Sequence, residues 1–301
     1  MSAVDPVQAA IQAAIAKASQ QSNHGVAVKG GGDLEPAKAG LTILTLVSYI
    51  ELGVQLHEVP NKPSYESNDV LLVFEMNGGA NKAVEVDGKL YPRRVEVQEK
   101  LSQNEKANYL KLFNMMNYDG QATHGSQLVG KHFLSNVYVN EKGYPSLRDK
   151  INGYNIQPPI VIKGDPLDPE QQTKVPVPAP VRSDATNRVF LWDYACQEMW
   201  DTIFIDGEYE ERKDEKTGKV YPAKSKNKFQ NLIKSALNFS GSPIQKILGE
   251  EALSLSESPL DGNDALSGTV DPLANATPEV LVQETSGVSA AAAADPLAGL
   301  L

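Results

Sequence analysis

Apolar positions alternate closely over residues 41–58, "LTILTLVSYIELGVQLHE", which predicts one long strand with a bend at Gly53. "NDVLLVFEM", 68–76, predicts a second strand. In "KAVEVDGKLYPRRVEVQEKLS" alternating valines flank Asp87-Gly88, the dipeptide of a tight hairpin turn, and the outgoing arm reaches about Leu101. The period then changes. Ser102 followed by Glu105 has the spacing of a capping box, and Ala107, Leu110, Phe113 and Met116 recur along one face of a helix. "GKHFLSNVYVNEKGYPSLRDKINGYNIQP", 130–158, returns to the strand pattern, with a turn at Glu141–Gly143.

Three strands, one helix and two further strands suit a five-stranded Greek-key barrel of the oligonucleotide-binding type, whose helix lies between strands three and four. The expected class is therefore mainly β with added helices (α+β), with the barrel over 41–164. Before it, 1–28 reads as a helix. Asp5 and Pro6 open it, and Val7, Ile11 and Ile15 form a narrow apolar stripe. A Gly-rich linker, 29–40, follows. After the barrel come a Pro-rich linker, 165–184, and an extension, 185–248. The extension holds both tryptophans, an acidic run and a helix with Phe229, Leu232, Ile233, Ala236 and Leu237 on one side. Residues 249–301 are rich in Ser, Ala, Gly and Asp, a composition that predicts a disordered acidic tail.

Charge sharpens this division. The 301 residues carry a formal −10, yet Glu250–Leu301 alone contains nine acids and no Lys or Arg, so the rest is nearly neutral. Directly before the tail, Lys219–Leu248 holds six lysines and no acid. A near-neutral body argues against a nucleic-acid binder that works by charge alone, though not against a local basic groove. The single cysteine, Cys196, excludes an intramolecular disulfide and any CxxC zinc pair. No 18-residue apolar run is present, so no membrane span is expected, and no secretory leader is visible.

Candidate chemistry points away from catalysis. His24, His57, His124 and His132 stand in no ligand spacing, and no GxSxG, HExxH or GxxxxGKS occurs. No catalytic residue, metal or cofactor is expected. Single-strand binders need cations that follow the phosphates and aromatic faces on which bases stack. Tyr91, Arg93 and Arg94 share one predicted strand; Lys131, Tyr138, Tyr144, Arg148 and Lys150 lie on the last pair. Phe133 is expected to be core. Lys224, Lys226, Lys228 and Lys234 form a second basic surface, although an amphipathic helix needs no further explanation for its lysines. The tail repeats a small unit and ends "DPLAGLL", so Asp295, Pro296, Leu297, Leu300 and Leu301 are the expected partner-binding end.

"NDVLLVFEM", "GKLYPRRVEVQEKLSQNEKANYLKLFN", "LVGKHFLSNVYVNEKGYPSLRDKI" and "KFQNLIKSALNFSG" together resemble a family of small tailed-phage proteins encoded among early replication and recombination genes. The resemblance covers roughly residues 40–240 and rests on the "LS-x-NEK" and "L-x-GK…V-x-V-x-N" segments. It implies an oligonucleotide-binding barrel that coats single-stranded DNA in the cytoplasm of an infected bacterium, and it supplies no binding residues. The resulting expectation is a non-enzymatic single-stranded DNA-binding protein whose tail recruits phage or host replication and recombination proteins and competes with DNA. That reading needs no membrane and admits a homo-oligomer. Two rivals stand beside it: an inhibitor or adaptor of a host nuclease or polymerase, acting as a DNA mimic, and a virion structural protein.

Overall fold

The computed structural model describes residues 36–249, apart from 87–88, 141–142, 166–167, 184–186, 214–217 and 219. These belong to one of the chain's two compact units; the other, residues 1–35 with 277–289, lies outside the described residues. The expected N-terminal helix, the Asp87-Gly88 turn and the acidic tail therefore also lie outside them.

The long first strand forms as its pattern predicts: β1 spans Gly40–His57. β2, Tyr65–Gly79, pairs antiparallel along almost all of it. Register shifts between Thr42 and Leu44, Leu46 and Ser48, and Glu51 and Gly53 bend β1. Each extra residue also changes which side chains face inward. The valine-rich hairpin appears as β3, Val84–Val86, and β4, Lys89–Tyr91, followed by β5, Arg93–Lys100, which pairs with β2. After helix α1, Asn108–Met116, β6 runs over His132–Val139 and returns to pair with the start of β1. Short pieces follow: β7, Pro145–Ser146; β8, Arg148–Asp149; β9, Gly153–Tyr154; and β10, Ile156–Gln157. The sheet order is β10-β6-β1-β2-β5. Its two ends approach one another, where the Tyr154 hydroxyl donates to Glu99 Oε1 at 2.6 Å. The result is a nearly closed, antiparallel, barrel-like sheet with few helices.

Two hydrophobic clusters occupy the two faces of this sheet. Inside, Leu44, Leu46, Leu72, Phe74, Val95 and Phe133 meet Tyr109, Leu112 and Met116 of α1. The helix begins later than the capping-box pattern suggests. Ala107 precedes it with no side-chain cap, and the Ser102 hydroxyl instead accepts from Asn104 N–H. That start brings Tyr109, Leu112 and Met116 fully inward, so of the expected Ala107–Leu110–Phe113–Met116 stripe Met116 is buried and Phe113 packs partly buried against the same cluster, while Ala107 and Leu110 give way to Tyr109 and Leu112.

Outside, Ile50, Leu52, Leu71 and Val73 are covered by the C-terminal extension. This lobe contains β13, Arg188–Phe190, parallel to β1, and helices α2, Gln197–Thr202; α3, Lys228–Lys234; and α4, Pro243–Leu248. Both tryptophans, Phe229, Ile233 and Ile244 are buried in it. Gly53 has φ +72°, and a Cβ there would fall 2.3 Å from the Trp192 ring, so the glycine admits the indole against β1. The Pro-rich stretch is not a free linker. Within it β12, Thr173–Pro176, pairs with β11, Ile160–Lys163, and Val177 is buried beside Ile43 and Leu134.

Candidate nucleic-acid interface

The expected cations divide into committed and available groups. Arg94 lies on the outer face of β5, where its Nη2 donates to Glu75 Oε1 at 2.9 Å. Glu75 is 3% exposed and also accepts from Ser183 Oγ at 2.7 Å. Burial, with the neighbouring Arg94 charge, pushes the Arg188 guanidinium below its ordinary range. Arg94 therefore belongs to a buried ionic cluster between sheet and lobe. Lys131 is likewise engaged. Its ammonium donates to both Asp119 oxygens at 2.9 and 2.7 Å and sits 5.8 Å from the Tyr118 ring centre. Tyr91 ends the short β4, Arg93 begins β5 beside it, and both are half-buried. Tyr138 pairs with Ser146, and Tyr144 N–H donates to Asn140 Oδ1; residues 141–142 of the expected turn lie outside the described residues. None of these lines the cleft that holds Arg148 and Lys150.

Arg148 and Lys150 are different. Both are exposed, on the β8–β9 hairpin, and line a cleft of ≈ 230 Å³ against α1. α1 contributes Asn108, Lys111 and Met115; the hairpin contributes Ile151, Asn152 and Tyr154. Asp149 also lines it, but its carboxylate is turned to the backbone, accepting from Asn152 N–H at 2.7 Å and Ile151 N–H at 3.0 Å. Those bonds hold it below the usual carboxylate range. The Arg148 guanidinium lies 5.9 Å from the Tyr154 ring centre and 3.7 Å from Glu99 Oε1. Burial, and then the Glu99 charge, push the Tyr154 hydroxyl upward, so it stays a neutral donor. The cleft thus brings Lys111, Lys150 and Arg148, the last shared with Glu99, together beside the Tyr154 ring.

Of the residues lining this cleft, the sequence pattern singles out Arg148 and Lys150 but not Lys111, Tyr154 or Ile151. The missed signal was Asp149-x-x-Asn152-Gly153, a turn pattern that brings the two sides of the hairpin together. On the lobe, the expected basic surface is mostly absorbed by packing. Lys228 donates to Glu96 of β5, Lys226 lies 5.4 Å from the Tyr209 ring centre, and Lys234 lies 5.9 Å from that of Trp200. Lys224 pairs across from Tyr209 and is exposed. Asp295, Pro296, Leu297, Leu300 and Leu301 lie outside the described residues.

Two buried polar groupings lie elsewhere. Ser67, His57 and Asp69 meet at the end of β1 and β2. Ser67 Oγ is 3.0 Å from His57 Nε2 and donates to Asp69 Oδ1 at 2.6 Å, while Asp69 Oδ2 is 2.9 Å from the same Nε2. A hydrolytic relay needs serine and acid on opposite ring nitrogens, so this set does not activate Ser67. Glu51 accepts from Trp192 N–H at 2.7 Å and Tyr49 hydroxyl at 3.3 Å, with His124 Nε2 at 3.5 Å. It joins lobe to barrel. Among the described residues no group of three or more His, Cys, Asp or Glu is placed to hold a metal ion, and no helix is long and apolar enough to cross a membrane.

The chain matches no known family, no curated protein and no solved structure.

Proposed function

We propose that this chain is a non-enzymatic single-stranded DNA-binding protein of a phage replication or recombination system, built on an oligonucleotide-binding type of barrel. Strand order supports the barrel. The fourth long strand, β6, returns beside the first, giving the 4-1-2-3 order of a Greek key, and α1 stands between the third and the fourth. Barrels of this type take oligonucleotides on the face of strands two and three and on the loops joining strands one to two and four to five. Here the outer face of β2 is buried under the C-terminal lobe. The loop between strands four and five remains, and it carries the observation on which the proposal rests: the cleft with Lys111, Arg148 and Lys150. These cations neutralise phosphates, and Tyr144, a few residues before Arg148 in the chain, and Tyr91 supply stacking faces. The tail, with nine acids, competes for the same cations and presents its "DPLAGLL" end to replication and recombination partners.

The test is fluorescence anisotropy with labelled oligo-dT and a matched duplex across a salt series. The chain is expected to prefer the single strand and to weaken with salt. Replacing Arg148 and Lys150 by Ala should flatten the salt slope by about 0.7 per lost phosphate contact. Absence of binding to either oligonucleotide, at low salt and with residues 250–301 removed, would overturn the proposal and favour a protein partner instead.

A further inference from the structure

At the tip of the β8–β9 hairpin, Ile151 is 91% exposed, the most exposed of the large hydrophobic side chains described. Its position is fixed rather than loose. Asp149 Oδ1 accepts from both Ile151 N–H and Asn152 N–H, and the strands on either side pair Arg148 with Tyr154 and Asp149 with Gly153. The tip is therefore a closed turn that holds an aliphatic side chain outward. Lys150 precedes Ile151 and Asn152 follows it, and Arg148 of the same hairpin and Lys111 of α1 line the same cleft.

An aliphatic side chain held rigidly beside cations suits one use on a nucleic-acid strand. It enters a base step as a wedge, while the cations hold the phosphates on either side. The cleft beside it has the walls that a displaced base requires. Met115 and Tyr154 give an apolar side, and Asn108 and Asn152 give amides for a base edge. We infer that Ile151 inserts between adjacent bases of the bound strand, and that the base displaced from the stack seats in the cleft. The inference rests on the single-strand reading, deepens it, and assigns to Ile151 a role in unstacking that is separate from phosphate binding.

The experiment uses the full chain and an oligo-dA strand with one internal 2-aminopurine, whose emission rises when it leaves the stack. Anisotropy of an end label reads binding independently. The wild type should bind and give a severalfold rise in emission. Ile151→Ala should still bind, with little change in salt slope, and lose the rise; Ile151→Leu should restore it. Binding without a rise in the wild type, or an undiminished rise in Ile151→Ala, would overturn the wedge while leaving single-strand binding intact. No anisotropy change for the wild type would remove both readings at once. If the chain then sediments with phosphatidylserine vesicles and Ile151→Ala does not, the tip belongs to a lipid surface.

Discussion

Gly53→Ala measures how firmly the lobe is seated on the barrel. The added Cβ would lie 2.3 Å from Cη2 and Cζ3 of Trp192 and 2.7 Å from Asn238 Oδ1. Ordinary carbon contacts are about 3.5–4.0 Å, so the indole must withdraw by more than about 1 Å. It is not free to do so. The backbone N–H of Trp192 donates to Glu51 Oε2 at 2.7 Å, which anchors the residue beside β1, and Asn238 Oδ1 accepts from Val54 N–H at 2.8 Å. Overpacking of this kind costs roughly 1–3 kcal/mol. Placing alanine at φ +72° adds about 1–2 kcal/mol. The expected loss is thus about 2–5 kcal/mol, a large part of the roughly 5–15 kcal/mol that holds a typical domain together. Gly120 provides the internal control. It has φ +66° with nothing within 4 Å of an added Cβ, so Gly120→Ala should lose only the backbone term, about 1–2 kcal/mol. Both variants would be unfolded in urea and followed by tryptophan emission, since Trp192 and Trp200 both lie in the outer cluster. At roughly 1–3 kcal/mol per molar, Gly53→Ala should lower the midpoint by about 0.7 M or more. A loss no greater than that of Gly120→Ala would refute the seating of Trp192 on β1.

Three further outcomes are expected. Glu75→Ala leaves Arg94 and Arg188 buried without their carboxylate and should cost about 3–5 kcal/mol in the same urea assay; a loss under about 1 kcal/mol would show that the cluster does not bind lobe to sheet. Burial raises the hydroxyl pKa of Tyr49, Tyr109 and Tyr154 above the ordinary 10.0, so the folded chain keeps protons that the unfolded chain releases. Their contribution should therefore be level below about pH 10, and above it stability should fall with rising pH, by about 1.4 kcal/mol per pH unit for each of Tyr49 and Tyr154, with Tyr49→Phe giving a shallower slope; urea midpoints that stay constant from pH 10 to 11.5 would contradict this. Removing residues 250–301 should tighten oligo-dT binding most at low salt, where screening is weakest, and equal affinity with and without them would exclude competition by the tail.

Much of the architecture was legible because its signals are local. The alternation in β1, the Asp87-Gly88 pattern between β3 and β4, and the change to helical spacing before α1 are each contained in a few residues. The burial of Phe133 followed in the same way. What escaped was pairing at long range. Arg94 reads as a surface cation beside Arg93, yet its partner Glu75 is nineteen residues earlier, and the Ser183 that completes the cluster is 108 residues from Glu75. Lys131 and Asp119 are twelve apart, with no shared element to bring them into register. The cleft escaped for a similar reason: Lys111 sits on a helix and Arg148 on a hairpin, and only the closing of the sheet sets them side by side.

One signal had a meaning that alternation alone does not reveal. "VLLVF" in β2 is continuously apolar, and a strand of that kind is buried on both faces. Even-numbered Val70, Leu72 and Phe74 point into the barrel, and odd-numbered Leu71 and Val73 point out, so a second layer must cover the outside. The lobe is that layer, which also explains the basic helix within it. Phe229 and Ile233 of α3 complete the outer core, and its lysines stand at the rim, where Lys228 meets Glu96 and Lys234 approaches Trp200. A lobe held by a core of this size is part of the fold rather than a lid over it. On the single-strand reading, a bound strand is then expected at the loops, with the salt dependence of binding carried by Lys111, Lys150 and the exposed Arg148, whose contact with Glu99 at 3.7 Å is looser than the close pairs that hold Arg94 and Lys131.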